Sequence, residues 1–200
     1  MILKIGIIVL SYLIGSLSFG IILSKLLKKK DVRDKDFPGG AGSIRQFGFS
    51  FGALVGLLDI LKGTVVVYIA LNYGKSDIVL LLSILAVIAG HSWPVYFGFK
   101  GGQGLATTIG VFITLFPLEA LLSFLIGGGF SLLFKFLKLG RYIKFVGAIP
   151  FGAVFGLISL FLIIFKKYGF YPYSLIIISV VLLLIIRGLE ISIFSKRRVM

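Results

Sequence analysis

Apolar residues run along this chain in long uninterrupted stretches, with no strand-like alternation of apolar and polar positions. Cutting the pattern at charges, prolines and glycine clusters predicts seven helices, at 3–26, 49–72, 77–97, 103–116, 118–138, 146–166 and 173–194. A helix needs about 20 apolar residues to cross a hydrocarbon core of roughly 30 Å. The fourth segment, Gln103 to Phe116, stops at Pro117 and covers only about 21 Å at 1.5 Å per residue. It therefore calls for a protein-lined loop at membrane depth beside it, and Lys100-Gly101-Gly102-Gln103-Gly104 is the segment that fits. The first apolar stretch, Ile2 to Leu27, is too long for a signal peptide and lacks a small-residue cleavage site, so it reads as a retained helix.

Composition agrees with lipid as the solvent: 58% of the 200 residues are apolar and only 14% are charged, with a mean hydropathy of +1.13. The absence of cysteine excludes disulfides, iron–sulfur clusters and thiolate nucleophiles. Charge sets the orientation, because Lys and Arg in short loops stay cytoplasmic. With the N-terminus outside, sixteen of the 21 basic residues fall on one face, and only Lys4, Lys75, Lys166 and Lys167 on the other. The chain thus reads as all-α, one polytopic membrane helix bundle over residues 1–200. Seven transmembrane helices cross with the N-terminus outside and the C-terminus cytoplasmic. The net charge of +14 follows from these loops and calls for no nucleic acid. A face so basic attracts anionic headgroups and anionic substrates.

Polar residues gather in stretches assigned to that face: Asp31 to Gln46, His91 to Thr108, Gly140 to Lys144, and Arg187 to Arg198. In the first, Pro38-Gly39-Gly40-Ala41-Gly42-Ser43 leads into Arg45, a bare backbone followed by a guanidinium suited to phosphate or carboxylate. The same run also reads as an interhelical turn. In the second, His91, the only histidine, precedes Lys100 and three glycines that open a helix bearing Thr107 and Thr108. Free amides and a helix N-terminus there suit a phosphate. A histidine closing a helix also serves as a cap for the dipole. Trp93, Pro94 and Tyr96 read as an interfacial anchor. Asp59 and Lys62, spaced i, i+3 inside the second span, are close enough to pair, which makes them a functional or a structural ion pair.

Taken together, these motifs resemble the bacterial acyl-phosphate-dependent glycerol-3-phosphate acyltransferases, the PlsY family. The resemblance rests on Gly15-Ser16-x-x-Phe19-Gly20, Asp59-x-Leu61-Lys62-Gly63, Arg141-Tyr142 and Arg187-Gly188-x-Glu190. Its most specific part is Gly90-His91-x-x-Pro94-Val95-x-Phe97-x-x-Lys100-Gly101-Gly102-x-Gly104-x-Ala106-Thr107. It implies a seven-helix enzyme of the bacterial inner membrane with its active site facing the cytoplasm. That enzyme transfers a fatty acyl group from acyl phosphate to the 1-hydroxyl of glycerol 3-phosphate without cofactor or metal. It also implies His91, Lys100 and Arg45 as catalytic groups, and Gly101, Gly102, Gly104, Arg141 and Glu190 as substrate contacts; Ser43, Gln103, Thr107 and Lys144, which lie in the same stretches, join them as candidate substrate contacts of this chain. The expected partners are acyl phosphate, glycerol 3-phosphate and membrane lipids, with no nucleic acid, and the expected state is a monomer. The family's first loop carries Asn and Thr side chains that are absent here, and Gln103 stands where the family has a lysine. Two alternatives stay open: a same-fold acyltransferase with another acceptor, and a non-catalytic lipid-phosphate-binding membrane protein or transporter.

Overall fold

The structure, a computed structural model, describes residues 1–142 and 147–197, and side chains as far as Ile193. Within these residues all regular structure is helical. The chain forms two compact units, Met1–Leu115 with Leu183–Gly188, and Phe116–Leu182 with the residues that follow Gly188.

In the first unit, the first predicted span is divided. Helix α1 (Ile2–Gly15) ends and α2 (Phe19–Lys28) begins after a break at Ser16 to Ser18, with Ser18 extended. Helix α3 (Gly40–Phe47) is short, α4 (Phe49–Ile69) follows Gly48 directly, and α5 (Asp77–Ser92) leads through the Pro94–Phe99 turn to α6 (Leu105–Leu115). Glycines let these helices touch backbone to backbone. A side chain at Gly15 would strike the Val87 backbone, one at Gly90 the Tyr12 carbonyl, one at Gly63 the Thr107 carbonyl, and one at Gly110 the Ile60 carbonyl. Thus α1 packs on α5, and α4 on α6. The short α6 is further tied to α4 where the Thr114 hydroxyl donates to Thr64 Oγ1 at 3.1 Å.

In the second unit α7 (Pro117–Phe136) packs on α8 (Ala148–Tyr168), again through glycines: a side chain at Gly152 would meet the Gly127 carbonyl and Ser131. Phe130 stacks on Phe155 at 3.9 Å, and Lys167 Nζ meets Glu119 Oε1 at 2.6 Å. The last helix, α9 (Leu175–Arg197), contributes its middle stretch, Leu183–Gly188, to the first unit.

Six helical segments among the described residues are long and apolar enough to cross a membrane: Ile2–Lys28, Phe49–Gly74, Asp77–Phe97, Pro117–Phe136, Ala148–Tyr168 and Phe170–Ile193; Leu105–Leu115 is apolar but shorter. Leu, Ile, Val and Phe side chains are exposed along all six, whereas Ser11, Ser16, Asp59, Lys62, Ser83, His91, Thr107, Thr108 and Arg187 are buried. Apolar side chains facing outward, with the few polar and charged groups turned into the interior, are the arrangement lipid imposes.

Candidate functional site

Three buried ionisable groups of the first unit, Lys62, Asp59 and His91, meet at the end of α5. Lys62, on α4, places its ammonium 3.0 Å from Asp59 Oδ1 and donates to the Gly15 and Leu17 carbonyls, each at 3.0 Å. Two of its N–H groups find carbonyl acceptors, and its charge faces the Asp59 carboxylate at ion-pair distance. The two carbonyls are those left open where α1 breaks, which explains how a break inside an apolar span is tolerated. Asp59 Oδ1 also lies 3.5 Å from His91 Nδ1, so the i, i+3 pair expected from the sequence is in fact one part of a Lys62–Asp59–His91 cluster. Lys62 and Asp59 side chains are 2% and 1% exposed, which leaves no water to satisfy either charge.

Above His91, the turn and loop to Gly104 are held from several directions. The Tyr12 hydroxyl donates to the Trp93 carbonyl at 2.7 Å, and the Val95 amide to Ser16 Oγ at 3.4 Å, so the α1 break also braces this turn. Arg33 grips Asp31 through Nε and Nη2 and reaches over with Nη1 to the Phe97 carbonyl at 2.9 Å. Arg187, buried on α9, donates from Nε to the Gly102 carbonyl at 3.0 Å and from Nη2 to the Gly101 carbonyl at 2.7 Å, its guanidinium 5.4 Å from the Trp93 ring centroid. Gly104 has φ +85°, a left-handed backbone that favours glycine.

This clamp changes what the glycine loop offers. The Gly101 amide donates to the Ser92 carbonyl at 3.2 Å and the Gly102 amide to the His91 carbonyl at 3.1 Å, so both are engaged within the loop rather than held open for an anion. The absence of side chains at these glycines is needed for packing: a Cβ at Gly101 would strike the His91 and Ser92 carbonyls, and one at Gly102 would strike His91 Nε2 and the Pro38 carbonyl. Lys100 and Gln103 are exposed beside them.

Among the other candidates, Ser43 and Thr107 are fully buried, their hydroxyls without a hydrogen-bond partner among the described residues. The Thr107 backbone packs against Gly63, which makes this residue part of the α4–α6 contact. Arg45, 60% exposed, is held by Asp36 through Nε at 2.6 Å and Nη2 at 2.8 Å. Burial of Asp36 works against its charge, but the Arg45 hydrogen bonds, the Phe37 amide and the Arg45 charge together outweigh it and hold the carboxyl below the ordinary carboxylate range. Asp31 is likewise held low, first by the hydrogen bond from Arg33. Arg141 lies exposed in the Leu139–Arg141 turn of the second unit, and Glu190 follows on α9; Lys144 lies outside the described residues. Among the described residues no cluster of acidic or histidine side chains is suited to a metal.

Sequence reasoning left Arg187 and Arg33 out of the candidate set. Arg187 carried a usable signal, a cation inside the apolar run Leu182 to Leu189. Arg33 did not, since one basic residue among many in a loop has no distinguishing pattern.

Apolar-surfaced helices, with a buried charged cluster beside a clamped glycine loop in the first unit, define an integral membrane protein. The glycerol-3-phosphate acyltransferase profile matches residues 5–191, and the chain belongs to that family. A curated glycerol-3-phosphate acyltransferase of Halalkalibacterium halodurans is 40% identical over 135 residues; the match spans 65% of this chain and 65% of the relative's length. Two crystal structures of PlsY, described as an integral membrane glycerol 3-phosphate acyltransferase, are similar throughout. The lysophosphatidic acid form has a TM-score of 0.74 at 32% identity, covering 94% of this chain and 88% of that one. The glycerol 3-phosphate form has a TM-score of 0.69 at 31% identity, covering 98% and 88%.

Proposed function

We propose that this chain transfers a fatty acyl group from acyl phosphate to the 1-hydroxyl of sn-glycerol 3-phosphate, giving lysophosphatidic acid and phosphate. It does so as a monomer in the bacterial inner membrane, at a site facing the cytoplasm. Its single domain crosses seven times, with the N-terminus outside and Leu105–Leu115 as the short span. Family membership supports the reaction, and the positive-inside distribution of Lys and Arg supports the orientation.

The observation that carries the reading is the Lys100–Gly104 loop, whose carbonyls are turned toward Arg187 while a cation stands exposed at its mouth. An acyl phosphate is already activated, so positioning and charge stabilisation suffice. The acceptor hydroxyl oxygen attacks the acyl carbon, and the carbon–oxygen bond to phosphate breaks with its electron pair leaving on phosphate. The hydroxyl proton passes to that phosphate. Lys100 and Arg45 offset the phosphate charge, Ser43, Gln103 and the loop glycines shape the pocket, and His91 orients the acceptor. Arg141 and Glu190 are substrate contacts on the strength of the resemblance, and Lys144 supplies a further positive charge near Arg141 in the sequence.

The test is phosphate release from palmitoyl phosphate by the purified protein with and without glycerol 3-phosphate. Release should require glycerol 3-phosphate, and Lys100→Ala should lower kcat/KM by about 100-fold, the scale of one charge-stabilising group. Release that ignores glycerol 3-phosphate, or is undiminished in Lys100→Ala, would overturn the reading.

A further inference from the structure

Lys62 and Asp59 are the deepest charged pair in the first unit, and the reaction proposed above makes no use of them. Neither Asp59 oxygen has a hydrogen-bond partner with acceptable geometry among the described residues, and neither does His91 Nδ1. Yet Asp59 Oδ1 lies within ion-pair distance of both Lys62 Nζ, at 3.0 Å, and His91 Nδ1, at 3.5 Å. The ammonium is fixed from its other side by Gly15 and Leu17. The carboxylate is therefore placed by a cation that is itself tied to the break between α1 and α2. His91 Nε2, on the far edge of the ring, lies beside Gly102 and the Pro38 carbonyl.

We infer that Asp59 and Lys62 are positioning residues for His91. Asp59 accepts the Nδ1 proton and so leaves Nε2 bare, as a hydrogen-bond acceptor turned toward the glycine loop and the Pro38–Gly39 backbone. A neutral imidazole carries one proton on one of two nitrogens, and the partner of one nitrogen decides the state of the other. A carboxylate behind an imidazole selects the tautomer and fixes the ring plane. Lys62 holds that carboxylate in register with the α1 break, which also braces the Trp93–Val95 turn through Tyr12 and Ser16. The consequence for function rests on the acyltransferase reading, with bare Nε2 accepting a hydrogen bond from the acceptor's hydroxyl and so orienting its oxygen, while the proton still passes to the leaving phosphate. The tautomer itself does not rest on that reading.

Because His91 is the only histidine, protein labelled with nitrogen-15 histidine gives one pair of ring signals. The wild-type protein should show the Nδ1–H tautomer, and Lys62→Met/Asp59→Leu, which removes both charges together, should lose that preference. In the phosphate-release assay the double variant should lose about tenfold in kcat, the scale of one lost orienting hydrogen bond, with a smaller change in the KM for glycerol 3-phosphate. In a His91→Gln background the same pair of changes should cost little more, because the three residues act as one unit. An Nε2–H tautomer in the wild-type protein would overturn the inference, whether or not the variants fold. So would full kcat in the double variant, or a loss of equal size with and without His91. Should the wild-type protein release no phosphate, the acyltransferase reading fails while the tautomer still decides between Asp59 and the Pro38 carbonyl as His91's partner.

Discussion

Two aspartates in the segment between α2 and α3 show how single residues organise a loop that carries little apolar surface. Asp31 takes the Arg33 guanidinium and the Arg33 amide, and Asp36 takes Arg45; both carboxyls titrate below the ordinary carboxylate range. A carboxyl depressed in the folded state contributes stability that is complete above its unfolded value, about pH 4, and is lost as pH falls through the folded value. The pairs are partly exposed, so each contributes on the order of 1 kcal/mol or less. Backbone amides of residues 32–47 are therefore expected to lose hydrogen-exchange protection in acid before those of α4 and α5, and Asp36→Ala to lower the α3 protection at neutral pH. Equal protection of α3 in wild type and Asp36→Ala would show that the Arg45 pair holds nothing in place. The same pairing explains part of what the sequence left unread. Arg45 was visible as a free guanidinium beside a glycine run, but its partner nine residues earlier was one of several acidic residues, and only folding selects among them.

Helices in this molecule meet through glycines placed for particular neighbours, so the same substitution has opposite consequences at different positions. At Gly90 a Cβ would meet the Tyr12 carbonyl and the Ser16 amide, backbone atoms that cannot move aside as a side chain would, so α1 and α5 must separate. At Gly128 nothing lies within 4 Å, and alanine there only restricts the unfolded chain and improves helix propensity. Gly90→Ala should cost about 1–3 kcal/mol and weaken the bracing of the Trp93 turn, whereas Gly128→Ala should be neutral or stabilising by up to about 1 kcal/mol. Thermal denaturation of the two variants in one detergent checks the contrast, and equal shifts would refute the close α1–α5 contact. The approximate bounds of the six long apolar segments were readable because about 20 apolar residues in a row have few alternatives. The break at Ser16 to Ser18 was not, since Gly-Ser-Leu-Ser is also a common helix-packing sequence, and the break depends on Lys62 arriving from α4 to satisfy its carbonyls.

At the scale of the whole molecule, the absence of cysteine makes topology directly measurable. With the proposed orientation, Asp77→Cys should react with a membrane-impermeant maleimide in intact cells, and Lys28→Cys only after permeabilisation. The reverse pattern would invert the orientation and put the glycine loop outside. Membrane class, helical architecture, the family and the gathering of polar residues in the His91–Gly104 stretch were all contained in the order of residues. Hydropathy and the spacing of rare polar groups are properties of the chain itself. The bracing of that stretch was decided only by the tertiary structure. Lys62, Asp59 and His91 come from two helices, and Arg187 reaches the Gly101 and Gly102 carbonyls from more than 80 positions away in the sequence. Buried charges in lipid must find partners wherever the fold brings them, and distance along the chain gives no measure of that.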